Sequence, residues 1–72
     1  MNQAELNLKI GKKIRDLRMS KNIAQQDLSA LCNFEKANMC RIESGKTNIT
    51  VGTLLKISQA LGVTVSYLTD VE

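Results

Sequence analysis

Apolar residues recur along this chain at helical spacing, in blocks set apart by short polar breaks, and the blocks predict five helices. In the first, from about Ala4 to Lys21, Leu6, Ile10, Ile14 and Leu17 form a stripe at spacings of four, four and three, with Lys12, Lys13, Asp16 and Met19 off it. Asn22 suits the left-handed residue that ends this helix, because Asn tolerates that conformation better than most residues bearing a Cβ. A second helix starts around Gln25 and puts Leu28, Leu31 and Cys32 at i, i+3 and i+4. Asn33 interrupts it, and Phe34, Met39 and Ile42 resume the rhythm in a new phase, giving a third helix over about 35–43. Gly45 closes the third helix, and Lys46, Thr47, Asn48 and Ile49 cross to the next element. Thr50 can cap a fourth helix with the stripe Val51, Leu54, Ile57 and Leu61, which Gly62 ends; Thr64 can cap a last short turn carrying Val65, Tyr67 and Leu68.

Composition narrows this to an all-α fold. The 72 residues contain no Trp, one Phe and one Tyr, so Leu, Ile, Val and Ala must build the core of a chain near the lower size limit for unaided folding. Four Gly and no Pro leave few breaks and argue against a turn-rich sheet. No repeat, low-complexity tract or linker stands out, so the expected organisation is one domain over residues 1–72. No stretch is long and apolar enough to span a membrane and no signal-peptide pattern opens the chain, so a cytoplasmic protein is expected, where two free cysteines are at home.

Two short helices joined by a tight polar turn over residues 25–43, QQDLSALCNFEKANMCRIE, have the outline of a DNA-reading helix-turn-helix. The outward positions of the second of these, Lys36, Ala37, Cys40 and Arg41, are small or cationic, as a surface lying in the major groove requires. Charge is distributed to match. Up to Lys46 there are nine Lys/Arg against five Asp/Glu, a net of +4, whereas beyond it Lys56 stands against Asp70 and Glu72, a net of −1. Basic charge on the reading half is what counterion release from nucleic acid calls for, although solvated helix faces would look similar. With no His and two separated Cys, neither a zinc site nor another cofactor is expected. Nothing resembles a nucleophile beside its base, so enzyme activity is not expected either.

The order IGKKIRDLR, IAQQDLSALCNF, ANMCRIESGKTN, LLKISQALGV resembles the Cro and phage-repressor type of helix-turn-helix, the XRE-like family of bacterial regulators, over about residues 10–69. The resemblance implies a compact five-helix, lambda-repressor-like domain whose third helix enters the major groove, usually as a homodimer on a near-palindromic operator. It implies that Gln25, which opens helix two, contacts a phosphate and braces the recognition helix, and that Lys36 and Ala37 address bases. Lys36 could donate to guanine O6 and N7, Ala37 could touch a thymine methyl, and Asn38 and Arg41 could read bases or hold phosphates. In the family the loop after the recognition helix grips the backbone, so Lys46, Thr47 and Asn48 are the implied phosphate-positioning residues. Arg18 and Glu43 match positions that form an ion pair between helices one and three. Each of these side chains also has a plainer role open to it, as a solvated cation or a local hydrogen bonder.

Some positions depart from the family pattern. Ala24 stands where Ser or Thr usually precedes the glutamine and cannot cap helix two, a loss of about 1 kcal/mol. Asn33 replaces the glycine frequent in the turn. Glu35 replaces Ser or Thr before the recognition helix; its carboxylate suits the helix dipole and repels phosphates unless it accepts from a cytosine amino group. Cys32 reads as a core thiol and Cys40 as a member of the DNA face, where oxidation would add bulk and polarity. Val63, Val65, Tyr67 and the C-terminal tail are the expected dimer contacts, with Val65 and Tyr67 surplus to the internal core. The expected function is sequence-specific binding of double-stranded DNA as a transcriptional regulator, by default a repressor. Two alternatives stay open: an antitoxin that binds a toxin protein and its own operator, and a protein-binding adapter that has lost DNA affinity.

Overall fold

A computed structural model describes residues 1–71; Glu72, which enters the charge count above, lies outside the described residues. Five α-helices follow one another: α1 (Gln3–Ser20), α2 (Gln25–Leu31), α3 (Lys36–Glu43), α4 (Val51–Leu61) and α5 (Val65–Thr69), with no strand among the described residues. Helix α1 starts one residue earlier than the periodicity predicts because Asn2 caps it, its side-chain oxygen accepting the Glu5 amide at 2.9 Å. Thr50 and Thr64 cap α4 and α5 in the same way, at 3.1 and 3.0 Å. Ala24 and Glu35 provide no side-chain cap, so α2 and α3 begin with their first amides free of one.

Helices α1 to α4 all end by one device. The residues in left-handed conformation are Asn22, Asn33, Gly45 and Gly62, with φ of 58, 59, 75 and 72°. Behind each, two amides turn back on the last carbonyls, for instance Gly45 N–H to Ile42 O at 3.2 Å and Lys46 N–H to Arg41 O at 2.9 Å. Four tight reversals of this kind fold the short helices back on themselves without proline.

Ile10, Ile14, Leu28, Cys32, Met39, Ile42, Leu54, Ile57, Leu61 and Leu68 form the core, with residues from all five elements or their caps. Helix α1 is the strut against which α3, α4 and α5 pack, and α2 packs on α3 and α4. The closest approach lies at Gly11. A Cβ there would collide with the carbonyl oxygen of Ile42 and stand 2.8 Å from that of Glu43, so glycine is kept inside a long helix despite its poor propensity. Gly45 is confined in the same way, its missing Cβ 2.7 Å from Leu8 Cα.

Three apolar positions lie elsewhere than their spacing predicts. Leu31 is 64% exposed, since α2 is only seven residues long and turns Leu28, Ser29 and Cys32 inward, leaving Leu31 on its flank. Val51 is 75% exposed because it opens α4 before that helix reaches the core. Val65, expected to be surplus, is half-buried and packs on the core together with Val63, because α5 folds back onto α1 and α4. Tyr67 does stand outside, 46% exposed, with Lys13 Nζ 4.4 Å above its ring.

Candidate nucleic-acid interface

Helix α3 is held in place by a buried ionic network. Glu43, its side chain only 3% exposed, accepts from Arg18 Nε at 2.8 Å, from Arg18 Nη2 at 3.0 Å and from Gln25 Nε2 at 3.1 Å. The remaining Arg18 nitrogen donates to Ile23 O at 2.7 Å. One guanidinium thus ties the end of α1, the turn into α2 and the last turn of α3 together. Both charges lose hydration, and the fork geometry matches both carboxylate oxygens, which is the arrangement in which burial of a pair is tolerable. Among the described residues no buried side-chain nitrogen or oxygen lacks a partner.

Met39, Ile42 and Glu43 face inward on α3. At 3.6 residues per turn, the opposite face carries Ala37, Arg41 and Ser44, with Lys36 and Cys40 on the flank toward α1 and α2 and half-buried Asn38 on the other flank. Lys36, Ala37, Cys40 and Arg41 are exposed together, and Glu35 is exposed just before them. The first residues of α3 therefore lie on an open face, as a groove-reading helix requires. Cys32 lies in the core; burial pushes its thiol above the ordinary value, while Lys56 pulls the other way.

The residues expected at the DNA backbone divide. Gln25 lies at the rim of the α3 face, but its side-chain amide already donates to Glu43, so its backbone amide and side-chain oxygen are what remain for a ligand. Lys46 is exposed in the loop after α3, and Thr47 is half-buried. Asn48 is exposed and tethered: its side-chain oxygen accepts from buried Asn7 at 2.8 Å, which leaves its side-chain nitrogen open, and Asn7 in turn accepts from Gln3 at 3.1 Å. This pins the loop to α1. Asn7 is a polar residue next to an apolar stripe, and its partner is 41 positions away, so periodicity cannot reveal it.

Two side chains on this surface escaped the sequence-based expectations. Ser44 occupies the outward face of α3, its hydroxyl donating to the Cys40 and Arg41 carbonyls at 2.8 and 3.2 Å. Arg15 of α1 borders the same concavity as Gln25, Lys36 and Cys40. It stands three residues before Arg18 on the helix, and residues so spaced share a face, so the Arg18–Glu43 pairing was the signal that could have found it.

A short helix braced from behind, with small and cationic residues outward and a basic loop beside it, defines a DNA-binding helix-turn-helix regulator. The chain belongs to the helix-turn-helix family, whose model matches residues 14–68. It is 36% identical over 66 residues to control protein C.BamHI of Bacillus amyloliquefaciens, covering 90% of this chain and 82% of that one. It is 33% identical over 70 residues to control protein C.MunI of a Mycoplasma species, covering 94% and 95%. The crystal structure of the restriction-modification controller protein C.AhdI from Aeromonas hydrophila superimposes with a TM-score of 0.84 at 29% identity, covering 90% of this chain and 97% of that one. The protein is thus a DNA-binding transcription regulator and not an enzyme.

Proposed function

We propose that this regulator is of the restriction-modification controller type, a homodimer that recognises two half-sites of double-stranded DNA with α3. The observation that carries this is similarity along nearly the full length of both C.MunI and this chain, together with a reading face built for the major groove. Arg41 and Lys36 donate to guanine edges, Ala37 touches a thymine methyl, and Asn38 and Glu35 address adenine or cytosine from the flanks. Cys40 makes close contact beside them. Gln25, Lys46, Thr47 and Asn48 hold the backbone, Asn48 through its side-chain nitrogen while its oxygen positions the loop that carries Lys46.

Pairing through Tyr67, with half-buried Val63 and Val65 beneath it, would set two reading helices about 34 Å apart, one turn of DNA. Occupancy of a site over a promoter excludes polymerase, so repression is the default outcome. Such a regulator works beside the chromosome, in the bacterial cytoplasm; among the described residues no helix is long and apolar enough to cross a membrane. A toxin-binding role has no support from these relatives.

The test is selection of binding sites from a random duplex library with the purified protein and, in parallel, Arg41→Ala. An enriched two-fold symmetric site that depends on Arg41, and that maps upstream of a methyltransferase or endonuclease gene, is the expected result. A folded protein that enriches nothing would overturn the proposal; an enriched site in another setting would overturn only the controller assignment.

A further inference from the structure

The α1 segment from Lys12 to Arg18 carries four cations, and the fold treats them differently. Lys12 pairs with Asp16 at 2.7 Å. Lys13 donates to the Asp70 carbonyl at 2.8 Å and covers the Tyr67 ring, on the side of the molecule where α5 packs. Arg18 is committed to Glu43 and Ile23. Arg15 is exposed and, among the described residues, makes no ion pair or side-chain hydrogen bond.

Its position follows from its neighbours along the helix. Gly11 brings the α1 backbone against the carbonyls of Ile42 and Glu43, and Arg18 reaches Glu43 itself, so positions 11, 15 and 18 form one stripe turned toward α3. Arg15 consequently opens onto a concavity floored by the Arg18–Glu43 pair and rimmed by Gln25, Lys36, Cys40 and Ser44. The floor pair cancels its own charge. What remains are two cations, Arg15 and Lys36, bordering one depression with no carboxylate left to neutralise them. The depression thus carries a positive balance that favours an anion.

We propose that Arg15 is a DNA-backbone contact contributed by α1, its guanidinium taking a phosphate of the strand that passes between the start of α2 and the flank of α3. A planar fork with free donors is suited to two non-bridging phosphate oxygens, and a phosphate bound there lies against the edge of the groove that α3 reads. The contact extends the reading surface from two helices to three and carries no sequence information of its own.

Salt dependence tests this, because each neutralised phosphate contributes about 0.9 to the slope of log K against log salt. Binding of a random-sequence duplex would be measured across a salt series for the wild type, Arg15→Gln and Arg15→Lys, with thermal melting of each free protein. Arg15→Gln is expected to lower the slope by about one and weaken binding about fivefold near 0.15 M salt, on specific and random DNA alike. Arg15→Lys should keep the slope, and both variants should melt as the wild type does. An unchanged slope in Arg15→Gln would overturn this assignment alone, and so would a loss confined to the specific site. A wild type that shows no salt-dependent DNA binding would overturn it together with the functional proposal on which it rests.

Discussion

Glu43 shows how much one side chain can organise. Three donors from α1 and α2 converge on a carboxylate whose side chain is 3% exposed, so removing it strands the Arg18 guanidinium, itself 11% exposed. Glu43→Ala is expected to lower unfolding free energy by about 3–5 kcal/mol in urea titration, whereas replacing Arg18 and Glu43 together by Met and Leu should lose much less, because no unpaired charge is left behind. Cys32 makes a smaller, pH-dependent contribution. Its thiol is pushed above the ordinary 9.0 by burial, against the opposing pull of Lys56. The unfolded chain therefore releases this proton first, and any stability tied to the neutral thiol is present below that pH and lost as pH rises through it. The stability difference between wild type and Cys32→Ala should shrink across the window that opens at the ordinary thiol value of 9.0 and runs upward from it. A constant difference across that window would contradict the assignment of Cys32 to a desolvated site.

At the scale of elements, the two helices of the helix-turn-helix are only seven and eight residues long, and they are stabilised by docking rather than by their own ends. Neither α2 nor α3 has a side-chain cap, and a seven-residue helix is too short to persist alone. Ala24→Ser is expected to raise stability by about 1 kcal/mol, seen as a higher urea midpoint with an unchanged slope, because a hydroxyl there can accept an amide of the first turn of α2. Docking of α3 depends on Gly11. Gly11→Ala improves helix propensity by about 1 kcal/mol, yet it drives a methyl into the α3 carbonyls, an overpacking worth about 1–3 kcal/mol. Net destabilisation in thermal melting is the expected outcome; a stabilised variant would show that α1 and α3 do not approach as closely as described.

For the whole molecule, the relevant quantity is how specific and general DNA binding separate. Arg41 lies on the outward face of α3 and Lys46 in the loop beyond it. Arg41→Ala should weaken binding to the selected site by about 1–3 kcal/mol and to random DNA far less, while Lys46→Ala should weaken both alike and reduce the salt slope by about one. Equal losses on both DNAs for Arg41→Ala would remove it from the base-reading set. The left-handed residues Asn22, Asn33, Gly45 and Gly62 fold the five helices into a body with a radius of gyration of 10.9 Å in which the loop bearing Lys46 follows directly on α3.

Periodicity, caps and left-handed stops are local, set by neighbours within a few residues, and for that reason the five helices and their ends were legible in the chain. Family resemblance added the Arg18–Glu43 pairing. Spacing alone did not decide burial at Leu31, Val51 and Val65, because the direction a flank residue faces depends on which helix packs against it. The hold of Asn7 on Asn48, the close approach at Gly11 and the openness of Arg15 are likewise products of tertiary structure. Each joins residues distant in sequence, or leaves one unpaired, through the crossing of α1 over α3. The sequence by itself determined which segments are helical and which helix turns small and cationic residues outward; the packing of those helices decided which cations are consumed inside the fold and which stay exposed, because ion pairing follows distance in space.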